Sequence, residues 1–291
     1  MLNADGGRAG ADYGRVMSTT VPFPLAAIEA HTVMSPGLVS CPPCAALSEV
    51  AKLMAIHQVH AVLVDPGAPR LITARDVVRA AVAGATAANE ISVPDAPSIA
   101  PDETLVGAAE RMVQAGEGHV VVRDDADGRA RGVLSSFDIV AVLAGHEPRV
   151  ARILRPAPAR PALSGGPLNA HAVRDVMHRG IFFCPSAAPV ADVARVLVER
   201  RTHTVMVWRE EGIAFVTDMH LVAAVLRDWP PPTAGELAES ALAFIPANAP
   251  LDAAASLVAE TAAGHAVATN ARGFPVGVVS TLDVVGAIAS G

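Results

Sequence analysis

The chain alternates between two hydrophobic periods, and it does so four times. Short apolar runs that read as strands lie at 61–64, 120–122, 205–207 and 266–268. Each is followed by a turn rich in Asp, Gly, Pro or charge: 65–67, 124–128, 209–212 and 270–273. A second apolar run closes each hairpin, at 71–72, 132–134, 215–216 and 277–279. Helix-period segments flank these hairpins. One opens at Leu47, Leu105, Val190 or Leu251, and another follows the second strand, as with Ile139, Val140 and Leu143 or Val222, Val225 and Leu226. With an extended lead-in, each unit reads strand, helix, strand, strand, helix.

At the junction of second strand and last helix stands a recurring corner. Its fullest copies are Gly132-Val-Leu-Ser-Ser-Phe-Asp138 and Gly277-Val-Val-Ser-Thr-Leu-Asp283. Looser copies are Arg70-Leu-Ile-Thr-Ala-Arg-Asp76 and Ala214-Phe-Val-Thr-Asp-Met-His220. The hydroxyls Thr73, Ser135, Thr217 and Ser280 fall at steps of 62, 82 and 63 residues; units one and three are 144 apart, units two and four 145. The chain is a duplicated pair. The surplus in the middle step, 146–170, contains Pro156, Pro158, Pro161 and Pro167 with Gly165-Gly166, and reads as an inter-module linker.

A hydroxyl with an acid three residues on, at a helix start, is first a capping box. The same place also suits an anion, because free N–H groups and the helix dipole point there. A carboxylate one turn in can take both hydroxyls of a ribose.

This unit, ending in Gly-apolar-apolar-Ser/Thr-x-x-Asp, resembles the CBS domain, and four copies span roughly residues 31 to 290. The resemblance implies an α/β (α+β) fold of four CBS-type β-α-β-β-α repeats, paired into two pseudo-twofold Bateman modules. The expected division is a tail (1–30), repeat one (31–88), repeat two (89–148), a linker (149–170), repeat three (171–230) and repeat four (231–291). Such modules bind adenosyl ligands in the clefts between paired repeats: AMP, ADP, ATP, NAD(H) or S-adenosylmethionine. The family pattern puts the Asp on ribose, the Ser/Thr and nearby donors on phosphate, and apolar residues around adenine.

Carried over, the pattern names Ser135 with Asp138 and Ser280 with Asp283 as full matches. Thr73 with Asp76 lacks the Gly but adds Arg75, which the family pattern directs to phosphate. Thr217 is followed by His220, which cannot act as a two-oxygen acceptor. Site three is expected to be empty or altered, and the first module to be the better nucleotide site.

Composition narrows the function. At 291 residues with 52% apolar and 18% charged side chains, two modules have core enough. Aromatics are 3%, so Val, Ala and Leu must fill those cores. Net charge is −7 without a basic stripe, which argues against nucleic acid. No apolar run approaches the ~18 residues of a membrane span, and residues 1–15 lack the apolar core of a signal peptide. A cytoplasmic protein is expected.

Other residues carry two readings each. His60, His119, His203 and His265 recur before the first core strand of each unit, either as polar strand ends or as rings at the cleft mouths that contact ligand. Cys41-Pro-Pro-Cys44 is a structural pair or a thiol redox pair. No second Cys-x-x-Cys exists to complete a zinc site. Trp208 and Trp229 could stack on adenine or pack at junctions, and 95–103 reads as a solvated acidic loop. No paired catalytic carboxylates, catalytic triad or Walker-type loop is found, so no enzyme is expected. The expectation is a regulatory sensor that forms a homodimer and acts on a partner protein, with a ligand-free assembly scaffold as the alternative.

Overall fold

The computed structural model describes residues 25–64, 70–91, 93–145, 167–200, 202–226, 233–240, 243–261 and 264–290. The turn at 65–67, most of the linker, and Trp229 with the prolines after it lie outside these.

After a short strand β1 (Ser35–Pro36), repeat one runs β2 (Ser40–Cys41), α1 (Leu47–His57), β3 (Ala61–Val64), β4 (Arg70–Thr73) and α2 (Ala74–Val82). Repeat two runs β5 (Ser98–Ile99), α3 (Leu105–Ala115), β6 (His119–Arg123), β7 (Ala130–Ser135) and α4 (Ser136–Leu143). Repeat three opens with β8 (His178–Arg179), then β9 (Phe183–Pro185), α5 (Val190–Glu199), β10 (Thr204–Arg209), β11 (Gly212–Thr217) and α6 (Asp218–Val225). Repeat four is β12 (Phe244–Pro246), α7 (Leu251–Thr261), β13 (His265–Thr269), β14 (Pro275–Ser280) and α8 (Thr281–Ala289). In every repeat the hairpin is antiparallel, while the strand before the first helix pairs parallel, as a helical crossover requires.

The sheets alternate between three and four strands. Repeats one and three hold β2-β3-β4 and β11-β10-β9; repeats two and four gain a strand from their neighbour, giving β1-β7-β6-β5 and β12-β13-β14-β8. The exchanged strand explains where the corner needs glycine. Pro36 pairs with Gly132 and Arg179 with Gly277. A Cβ on Gly132 would stand 2.5 Å from Ser35 O, and one on Gly277 2.5 Å from His178 O. In repeats one and three no such strand pairs with the corner among the described residues, and Arg70 and Ala214 fill the position. The glycine therefore admits a crossing strand. In repeat three the edge is closed differently, by reciprocal backbone hydrogen bonds between Phe215 and Glu239.

Period two sorts the strand residues into two faces. One face packs against the sister sheet of the same module: Leu63 and Leu71 meet Val121, and Met206 and Phe215 meet Val267. The other face carries the helices, which join the modules. Val50, Met54, Val77 and Val78 of repeat one share a core with Val193, Leu197, Leu221 and Val222 of repeat three. Met112, Ile139 and Val140 of repeat two share one with Val258, Val284 and Val285 of repeat four. Repeat one thus packs on repeat three, and two on four. Leu25, Ile28, Ala30 and Val33 join the core of repeats two and four, so the end of the expected tail is anchored there.

Among the described residues no helix is long and apolar enough to cross a membrane.

Candidate functional site

Each key hydroxyl ends its second strand two residues beyond a side chain that faces the sister sheet, so Thr73, Ser135, Thr217 and Ser280 sit on the cleft side. All four cap the helix that follows. Asp138 N–H donates to Ser135 Oγ at 3.2 Å, and Asp138 Oδ2 accepts from Ser135 N–H at 2.9 Å and Ser135 Oγ at 2.6 Å. Asp283 Oδ2 accepts from Ser280 N–H and Oγ at 2.8 and 2.7 Å. Asp76 Oδ2 accepts from Thr73 N–H and Oγ1 at 2.9 and 2.7 Å. In each case the cap uses one carboxylate oxygen, Oδ2. Arg79 reaches Oδ1 of Asp76 at 2.5 Å, and His178 Nε2 reaches Oδ1 of Asp283 at 3.2 Å. His178 is 78% exposed and arrives on the exchanged strand β8.

Repeat three keeps the cap and changes its chemistry. Thr217 N–H donates to His220 Nδ1 at 3.1 Å, and His220 N–H to Thr217 Oγ1 at 3.3 Å. The other ring nitrogen faces Glu239 Oε2 at 3.4 Å, and the Phe215 ring lies 5.4 Å from the imidazole. Burial lowers the His220 pKa against the pull of Glu239. The imidazole, its acid and Phe215 all stand at this corner, where the sequence pattern called for a ribose carboxylate.

The four histidines do not occupy one repeat position. His119 pairs across the hairpin with Ser135 and His265 with Ser280, whereas Ala61 pairs with Thr73 and Thr204 with Thr217. His60 and His203 therefore stand one residue earlier in register. Their shared place ahead of the first core strand concealed this, because hairpin lengths differ between repeats. The rings gather where the modules meet rather than at separate cleft mouths. His203 Nδ1 lies 3.1 Å from Asp218 Oδ2, and His265 Nε2 lies 2.8 Å from Thr204 Oγ1. His60 and His119 stand within electrostatic reach of the same cluster. Burial, reinforced by His60 and His203, holds His119 and His265 down at about 4.

Arg75, assigned by the sequence pattern to phosphate, crosses to the other module. Its Nη2 donates to His203 Nε2 at 2.8 Å, while its Nε is buried and has no hydrogen-bond partner among the described residues. Glu117 lies near it; burial and Asp76 raise that carboxyl, against Arg75, Arg79 and His203. Sequence reasoning missed Asp218, His178, Glu117 and Glu239. Asp218 had a signal: among the four residues directly after the key hydroxyls, Ala74, Ser136, Asp218 and Thr281, it alone is charged. Burial pushes its carboxyl up, but the hydrogen bond from His203 and the nearby His60 and His265 outweigh this and hold it well below the usual range.

Outside the corners, Phe183 and Trp208 stack at 4.9 Å on the sister-facing side of repeat three, and both are exposed. Their counterparts by register in repeat two, Ser98 and Arg123, instead line an open pocket of about 260 Å³ with Asp124 and Gly128. Cys41 is buried, and burial, with Glu49 and Cys44, raises its thiol; burial raises Cys184 likewise. A redox pair needs a stabilised thiolate, so the direction at Cys41 is the opposite of activation. No cluster of metal-ligating side chains occurs among the described residues.

The CBS domain family model matches residues 88–145 and 173–227, on repeats two and three. Protein MJ1225 from Methanocaldococcus jannaschii is similar in structure with a TM-score of 0.70 at 12% identity, over 89% of this chain and 99% of that one. An uncharacterized conserved protein from Pyrococcus horikoshii gives 0.59 at 15% identity, over 90% and 100%. CBS domain protein PAE2072 from Pyrobaculum aerophilum, complexed with AMP, is 27% identical over 38% of this chain and 89% of that one, with a TM-score of 0.35. No curated protein sequence matches. Residues 88–145 and 173–227 thus match the CBS domain family, and the chain as a whole has the fold of four such repeats in two paired modules.

Proposed function

We propose that this protein is a regulatory sensor that binds an adenosyl ligand in the clefts beside Asp76, Asp138 and Asp283. The observation that supports it most is the division of labour within each carboxylate. Capping uses Oδ2, and in Asp76 and Asp283 the second oxygen, Oδ1, faces an exposed side chain, Arg79 or His178. Helix capping and ribose binding therefore do not compete for one oxygen. At Thr217 the imidazole has no second acceptor to offer, and that cleft is left out of the binding set.

Output would run through association with a partner protein, with ligand acting only so far as it prefers one arrangement of the modules. The homodimer implied by the resemblance needs another surface here, since the helical face of each module already covers the other. Light scattering of the full chain measures whether a second copy binds. The scaffold alternative predicts a molecule indifferent to nucleotides.

Thermal melts with AMP, ATP, S-adenosylmethionine and NADH test the reading. At a hundred times the dissociation constant a ligand stabilises by about 2.7 kcal/mol, and Asp138→Ala or Asp283→Ala should abolish the shift from its own cleft. Unchanged melts with all four ligands would remove the sensor reading.

A further inference from the structure

The helices α2, α4, α6 and α8 begin directly after the four key hydroxyls. Ser136 and Thr281 touch at 2.8 Å, so the starts of α4 and α8 converge at the joint between modules. The link from Arg75 through His203 to Asp218 likewise brings the starts of α2 and α6 together. A phosphate held at Thr73, Ser135 or Ser280 would extend toward this joint. Helix starts and Arg75 favour negative charge there.

One negative charge already stands in that place. The Asp218 side chain is 14% exposed, and both its oxygens are engaged. Oδ1 accepts from the backbone N–H of Met219 at 2.9 Å, a donor of the α6 start, and Oδ2 accepts from His203 Nδ1 at 3.1 Å. Arg75 donates to the far nitrogen of the same ring, which sets the tautomer with its proton toward Asp218. The Asp218 carboxylate thus takes the contacts that an outer phosphate would seek: a helix-start N–H, and a ring tied to the guanidinium of the opposite module.

We propose that Asp218 is a resident anion that sets the charge class of the ligand: the clefts accept adenosyl compounds with one phosphate or none and discriminate against di- and triphosphates. This rests on the adenosyl reading of the clefts given above. It also assigns His203 a positioning role, since the ring holds Asp218 in place and carries the influence of Arg75 to it.

Calorimetry on the full chain with S-adenosylmethionine, AMP and ATP provides the test, using the natural protein, Asp218→Asn and Asp218→Ser. Asn keeps the shape without the charge; Ser is the residue at the matching position of repeat two. The natural protein should bind AMP or S-adenosylmethionine at least about tenfold more tightly than ATP. Both variants should gain about tenfold or more for ATP, with S-adenosylmethionine within about threefold of its starting value. Circular dichroism melts report whether each variant folds, and the Asn variant decides if the Ser variant does not. ATP binding as tight as AMP in the natural protein, or an unchanged ligand order in a folded variant, would overturn the resident-anion role alone. No binding of any of the three by any of the proteins would remove the adenosyl reading with it.

Discussion

Ser136 Oγ lies 2.8 Å from Thr281 Oγ1, and both residues are buried. They open helices 145 positions apart in the chain, so this one contact ties repeat two to repeat four. Removing one hydroxyl leaves the other desolvated without a partner. Ser136→Ala or Thr281→Val alone should lower the unfolding free energy by ~1–2 kcal/mol, while the double variant should lose less than the sum. Denaturant unfolding of the four proteins gives the coupling. Strictly additive losses would show that the two hydroxyls act independently.

The two corner glycines admit a strand, and their substitution should be felt in stability before ligand binding. In Gly132→Ala and Gly277→Ala the new Cβ meets the carbonyl oxygen of Ser35 or His178 at 2.5 Å. Overpacking of that kind costs about 1–3 kcal/mol. Ala214→Gly, at the matching position without a crossing strand, should cost only the ~0.5–1 kcal/mol of a flexible residue in a strand. Urea midpoints of the three variants compare them directly. A Gly277→Ala protein as stable as its parent would deny the crossing strand its role.

Acid should weaken the joint between modules. His119 and His265 titrate at about 4 in the folded chain, against about 6.5 when unfolded. Between these values the unfolded chain binds more protons, so stability falls as pH drops from about 6.5 towards 4. Each ring accounts for at most ~3 kcal/mol over that window. The depressed Asp218 adds a further loss at still lower pH, where the unfolded chain takes up the carboxyl proton before the folded chain does. Melting temperatures from pH 7 to pH 4.5 should decline, and His265→Gln should flatten the decline. A stability that rises on acidification would contradict burial of neutral rings.

The repeats were legible because their signals are local. An apolar run, a turn and a second run fix a hairpin within about twenty residues, and a hydroxyl three residues before an acid marks a helix start. Ser135 with Asp138 and Ser280 with Asp283 could be named from spacing alone, and the carbonyls of Ser35 and His178 explain why glycine accompanies only those two copies. The histidines were legible as a recurrence but not as a register, because hairpins of unequal length move His60 and His203 one residue away from His119 and His265.

The sequence by itself determined the four units, their nesting in pairs and the hydroxyl-to-acid corner, since each depends on periodicity and capping over a few turns of chain. Only the tertiary structure decided which repeats meet through sheets and which through helices. It also placed Arg75 on His203, 128 residues away, and His203 on Asp218. Such contacts arise from closure of two modules on each other, where burial and charge act between groups that no local pattern brings together.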